Sequence, residues 1–323
     1  MAADGTVYAV DRDGVLHALS PAGDLLWRAE TGSEAAFGPT LGPDGTVYVV
    51  DVDGALHAVR SDGSLRWTVA LEQPIPPLAG TVVDAGGNAY VATAEKIYSV
   101  EQDGSVRWQA GLPTYSFVAP APRLSGDGQY LLFEDILVDP VSGEIRFDST
   151  DVLMDRYIVG AAGGLYSRQQ DRVLSVGVAG DELQFSPVAQ WDVVTTSLGN
   201  LSLYESGVAP DGRVWVLYGG LYEHLKLLWT DPGGEVLSVT PFQWALGSDA
   251  VAGMDREGTF FACGVKGRSV VERMLECRAT PAGRPAASWT FEAAEAGAPA
   301  GAALAPDRLY VTTLGGKLLA VGK

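Results

Sequence analysis

Apolar and polar residues alternate with a period of two over short stretches of this 323-residue chain, and the alternating block itself recurs. Residues 4–27 read DGTVYAVDRDGVLHALSPAGDLLW, residues 44–67 read DGTVYVVDVDGALHAVRSDGSLRW, and residues 86–108 read GGNAYVATAEKIYSVEQDGSVRW. Period-two runs separated by Gly-containing turns predict a strand meander and exclude a helical reading. The TVY position anchors the repeat at Tyr8, Tyr48, Tyr90, Leu131, Tyr166, Trp215, Phe261 and Tyr310, at gaps of 40, 42, 41, 35, 49, 46 and 49 residues. Eight units therefore fill nearly the whole chain.

Each complete unit offers four strands: a small-residue strand such as GPTLGPDG (residues 38–45), then the TVY, LHAL and LRW strands. Four-stranded units repeated eight times predict an all-β fold, a single eight-bladed β-propeller of antiparallel blades. The blades are expected near 1–32, 33–73, 74–113, 114–152, 153–194, 195–243, 244–295 and 296–323. The first unit begins at its second strand and the last stops after its third, so thirty strands are expected. The natural chain is expected to extend upstream and supply closing strands.

Composition narrows the partners. Forty acidic residues against 22 basic ones give a net charge of −18, which opposes binding to nucleic acid or an anionic membrane. No apolar stretch approaches the roughly 20 residues that span a bilayer. The start, Met1-Ala2-Ala3-Asp4-Gly5, lacks the basic and apolar regions of a signal peptide. An extracytoplasmic protein whose export signal has been removed is the expectation.

The passage from third to fourth strand carries a signature. Ala18 leads through Gly23 to Trp27, Ala58 through Gly63 to Trp67, and Ser99 through Gly104 to Trp108. Later copies place Phe147 four residues after Gly143, Phe185 five after Gly180 and Trp289 six after Gly283. This resembles the tryptophan-docking motif of PQQ-like (quinoprotein-type) propeller repeats, closely in blades one to three and loosely beyond. The motif usually has Asp two residues after the Ala, where this chain has Ser20, Arg60, Glu101 and Asp139. The resemblance implies structural docking by those six aromatics, each ring packing on the neighbouring blade. Quinone-dependent dehydrogenases of this type stack their cofactor on a disulfide between adjacent cysteines. Cys263 and Cys277 are fourteen residues apart, so the resemblance favours the cofactor-free scaffold branch, which includes the outer-membrane assembly lipoprotein. No cofactor is expected, and PQQ least of all.

Candidate chemistry is sparse. His17 and His57 share one repeat position, occupied by Tyr98 in the third copy, which marks a structural role. His224 stands outside the repeat. Asp11-Arg12-Asp13-Gly14 and Asp51-Val52-Asp53-Gly54 resemble the opening of a calcium loop but lack its later ligands. A two-residue Asp-Gly hairpin turn explains them, with a structural calcium ion as the alternative. No G-x-S-x-G nucleophile motif occurs. A two-residue turn at Asp13-Gly14 would set Val10 opposite His17. Cys263 follows Gly258 as Val10 follows Gly5, and Cys277 precedes Gly283 as His17 precedes Gly23. The cysteines are thus expected to be cross-strand neighbours, either as a disulfide of an oxidising compartment or as two buried thiols.

Departures from the repeat locate the candidate interface. Long connections occur at residues 190–206, 219–225 and 264–273, which strand parity places on one rim of adjacent blades. Trp191, Tyr204, Tyr222, His224, Arg268 and Arg273 form a mixed aromatic and basic set there, suited to an interface. The leading expectation is a non-catalytic scaffold of the cell envelope or surface, binding a protein or a surface polymer through these loops of blades six and seven. The alternatives are a lyase or hydrolase using carboxylates in a central channel, with or without a metal, and a spacer module of a larger surface protein.

Overall fold

The computed structural model describes the chain apart from residues 36–37, 73–79, 94, 113–121, 134–135, 149–155, 161–163, 169–171, 180–181, 191–200, 221–224, 234, 243, 245–250, 255–257, 267–273, 282–288, 295–297, 305–307, 314 and 323. For strand residues 147–148, 156–157, 168, 182, 189–190, 201–205, 219–220, 251, 281, 289, 294, 300, 303–304 and 322 the backbone alone is described. The chain divides into two compact units, Met1–Leu153 and Met154–Lys323.

In the first unit, β1 (Val7–Val10), β2 (Val15–Leu19) and β3 (Leu25–Glu30) form a three-stranded sheet. Three four-stranded sheets follow. They are β4 (Thr40–Leu41) to β7 (Leu65–Ala70) through β5 (Val47–Val50) and β6 (Ala55–Val59); β8 (Thr81–Val83) to β11 (Val106–Gly111) through β9 (Ala89–Ala92) and β10 (Lys96–Val100); and β12 (Arg123–Leu124) to β15 (Ile145–Asp148) through β13 (Leu131–Phe133) and β14 (Ile136–Val138). The second unit holds β16 (Arg156–Val159), β17 (Leu165–Arg168), β18 (Arg172–Ala179) and β19 (Glu182–Gln190), then β20 (Leu201–Val208), β21 (Val214–Gly220), β22 (Lys226–Thr230) and β23 (Val236–Pro241). Its last sheets are β24 (Val251–Met254), β25 (Thr259–Lys266), β26 (Met274–Pro281) and β27 (Trp289–Ala294), and the three-stranded β28 (Pro299–Leu304), β29 (Arg308–Thr313) and β30 (Leu318–Gly322). Every strand pairs antiparallel with its sequence neighbour within its sheet. These are the blades of an eight-bladed β-propeller, and the described residues contain no helix.

The turns correct the expected register. Gly14 donates its N–H to Asp11 O and Asp11 donates to Val15 O, which makes a type I turn closed by a left-handed Gly14. This is a three-residue hairpin loop, one residue longer than the Asp-Gly turn expected from the sequence. Val10 therefore pairs with Leu16, and His17 with Ala9. Gly14 is obligatory on two counts: its φ is +78°, and a Cβ would fall 1.9 Å from Ser33 O. The turn closed by Ser125 N and Tyr130 O is longer still. It shifts the repeat anchor of the fourth blade from Leu131 to Leu132, which aligns with Leu137 and Phe147.

One row of cross-strand neighbours runs through each blade at the anchor. In the second blade it is Thr40, Tyr48, Ala58 and Trp67, and in the third Val82, Tyr90, Ser99 and Trp108. A large inner ring, a small residue and a large outer ring fill the layer without overlap. The sixth blade rearranges the volumes as Gly207, Trp215, Trp229 and Ser238. Its second indole has moved one strand inward, and the outer strand carries only serine.

Candidate functional site

The joints between neighbouring blades decide which surfaces remain for binding. In the first unit Trp27 Nε1 donates to Ser61 O at 2.8 Å, Trp67 Nε1 to Gln102 O at 2.9 Å, and Trp108 Nε1 to Pro140 O at 3.0 Å. Each indole lies against the left-handed glycine of the next blade's turn. A Cβ on Gly63, Gly104 or Gly143 would come within 2.9, 3.0 and 2.6 Å of the respective ring. The tyrosine of each row tilts against its own blade's indole, with centroids 5.7 to 6.0 Å apart. Burial pushes the Tyr90 hydroxyl up to about 12, assisted by its hydrogen bond to the Asp84 carboxylate.

The remaining three positions expected to dock differ. Trp289 pairs with Ala279 as Trp27 pairs with Ala18, and Phe147 pairs with Leu137. Phe185 does not dock: Ser186 takes the place in the row opposite Ser175, and Phe185 is 46 % exposed. One residue of register turns its ring to the solvent face.

The repeated histidines are clamps. His57 Nε2 meets Asp51 Oδ2 at 2.9 Å, both residues buried, and its Nδ1 meets Oγ1 of the exposed Thr68 at 3.0 Å. His17 meets Asp11 at 2.8 Å in a more open setting. Asp11 also accepts the N–H groups of Asp13 and Val15, and Asp51 accepts that of Ala55. Both carboxylates are occupied by turn and histidine contacts, so both Asp-x-Asp-Gly stretches work as hairpin turns. Among the described residues no group of three or more His, Cys, Asp or Glu side chains could hold a metal ion.

Of the proposed interface residues, Trp191, Tyr222, His224, Arg268 and Arg273 lie outside the described residues. Tyr204 lies on β20 at a register shift between Leu203 and Glu205, with only its backbone described.

Cys263 and Cys277 are directly opposite in β25 and β26 and form a disulfide. In register they correspond to Val10 and Leu16 of the first blade, and to Val50 and Leu56 of the second. The bond thus occupies a core position that other blades fill with two apolar side chains. Beside it lies a buried ionic group that sequence reasoning missed. Glu276 is 1 % exposed and contacts Arg278, Lys266 at 3.3 Å and the indole Nε1–H of Trp244 at 3.1 Å. Lys266 also reaches Glu292 at 2.7 Å, and the Arg278 guanidinium sits 5.3 Å from the Phe242 ring centre. Burial works to raise the Glu276 carboxyl, but Arg278, Trp244 and Lys266 outweigh it and hold it below the ordinary glutamate value. A glutamate placed next to Cys277 on an apolar strand was the available signal.

Residues 1–125 match the family model described as outer membrane protein assembly factor BamB. None of the curated proteins matches the chain. Among solved structures, BamB from Moraxella catarrhalis is similar at 16% identity and a TM-score of 0.62, covering 100% of this chain and 92% of that one. Apo AztD from Citrobacter koseri gives 13% identity and a TM-score of 0.61, covering 98% and 91%. The Cps50 (Swd1) β-propeller domain of Myceliophteria thermophila gives 16% and 0.54, covering 81% and 90%. At these identities the structural likeness speaks for the fold alone. The chain is a β-propeller, and its residues 1–125 are similar to the BamB family model of PQQ-like repeats.

Proposed function

We propose that this protein is a non-catalytic binding scaffold that works outside the cytoplasm, in the cell envelope, and engages a protein partner. The match of residues 1–125 to the model of an outer-membrane assembly factor carries this reading. The buried disulfide supports the oxidising compartment. The described histidines and the Asp11, Asp51 and Glu276 carboxylates are committed to turns and ion pairs, which supports a structural use of these groups. The scaffold needs no cofactor. The partner surface is the rim of blades six and seven, where Trp191, Tyr204, Tyr222, His224, Arg268 and Arg273 offer aromatic and cationic groups on an acidic body.

The test is affinity capture from an envelope extract of the source organism. The bait is the full chain beside a variant in which residues 267–273 are replaced by a short turn, leaving Gly264–Lys266 intact. A partner held by the first and lost by the second supports the rim. Equal capture by both moves the surface elsewhere, and empty baits under crosslinking contradict the scaffold reading.

A further inference from the structure

In the ladder between β25 and β26, the pair next to Cys263 and Cys277 is Gly264 and Glu276. Successive pairs of a ladder point to opposite faces. The disulfide therefore sits on one face of the blade, and Gly264 with Glu276 sits on the other. Those two residues make a seat for Trp244. A Cβ at Gly264 would come 2.5 Å from the six-membered part of its ring, and Glu276 Oε1 accepts its Nε1–H. Trp244 is completely buried and stacks on Phe242 with centroids 4.2 Å apart.

This is the indole-on-glycine joint of the first unit, built from different parts. There the glycine and the accepting carbonyl belong to one turn, so the seat is rigid by itself. Here the glycine and the acceptor belong to two strands, and the seat keeps its shape only while those strands keep their register. The disulfide pins that register at the adjacent pair. Cys263 is also bordered by a cavity of about 130 Å³ lined by Met254, Phe261, Ala302 and Leu309, so its face is incompletely packed.

We propose that the disulfide and the Trp244 seat form one redox-linked clamp. With the sulfurs bonded, Trp244 is held against Gly264 and Glu276. A dithiol reductant breaks the S–S bond and closes to its own disulfide. The two cysteine sulfurs take up the two electrons and two protons it gives, and Trp244 loosens from its seat.

The full chain is compared before and after incubation with dithiothreitol, with free thiols counted under native conditions and tryptophan emission quenched by acrylamide. Reduction should release two thiols, shift the emission red and increase quenching. Trp244→Phe should lack that change, and Cys263→Ser/Cys277→Ser should resemble the reduced protein. Complete reduction with unchanged emission overturns the clamp. So does the same shift in Trp244→Phe, or the absence of thiols in the folded protein. Should Trp244→Phe fail to fold, hydrogen exchange in the wild-type chain decides. Faster exchange on reduction across β25 and β26 supports the clamp, and unchanged exchange there refutes it.

Discussion

The two units solve one problem, fastening blade to blade, in different ways. From Trp27 to Trp108 the first unit repeats a single device: an outer-strand indole resting on a turn glycine and donating to a nearby carbonyl. The second unit abandons it at the sixth blade, where the outer strand has Ser238. There the joint consists of Phe242 and Trp244 from the connection after β23, the Trp215–Phe260 contact at 4.9 Å, and a carboxylate acceptor. Joints whose glycine and acceptor belong to one turn suit a scaffold that must not change. A joint assembled from separate strands, a buried ion group and a disulfide can be altered locally, which fits the binding region proposed above.

The comparison is broken most severely at Glu276. Glu276→Leu should cost about 3 kcal/mol or slightly more, because the buried Trp244 N–H would lose its acceptor and the part-buried Arg278 its carboxylate, while Lys266 keeps Glu292. Chemical denaturation, with tryptophan emission as the probe, reads this. The pH dependence has a definite sign. The Glu276 carboxyl is held below its ordinary value, so its contribution is full above the unfolded value and is lost as pH falls through the lower folded one. Wild type should lose stability there more steeply than Glu276→Leu.

Removing the disulfide should cost about 3 kcal/mol, given the short loop it closes. The loss should appear as earlier melting of the second unit, with hydrogen exchange in β5, β6, β9 and β10 unchanged. Uniform destabilisation of both units would erase the distinction.

In the first unit the glycines provide an internal control. Gly143 and Gly23 both have positive φ, so alanine at either costs about 1–2 kcal/mol of backbone strain. At Gly143 the new methyl would also strike Trp108, whereas at Gly23 nothing lies within 4 Å. Gly143→Ala should therefore be clearly the worse of the two in unfolding midpoint. Equal effects would show that the indole contact contributes nothing. The smallest expected effect is spectroscopic: Tyr90 should ionise at about 12 in an ultraviolet titration, and Asp84→Asn should bring it down.

The repeat was legible because period-two blocks return at regular gaps, and that was enough for fold class, strand count and the cross-strand cysteines. The turn type was not, since Asp-Gly serves two-residue and three-residue hairpins alike and only the hydrogen bonds at Asp11 separate them. Phe185 was misplaced because a count from the preceding glycine ignores the register of β18 and β19. Trp244 and Glu276 escaped notice for a different reason. Their joint moved out of the repeat frame, so the period that exposed Trp27, Trp67 and Trp108 had nothing to say about them. Five of the six candidate interface residues fall outside the described part of the chain, and for them the sequence argument stands alone.

The division of labour between the units is the central claim, and hydrogen exchange of the protein with its captured partner tests it most directly. The account predicts protection on binding in peptides covering residues 191–224 and 264–273, with the outer strands β3, β7 and β11 unchanged. Protection confined to the first unit would contradict it.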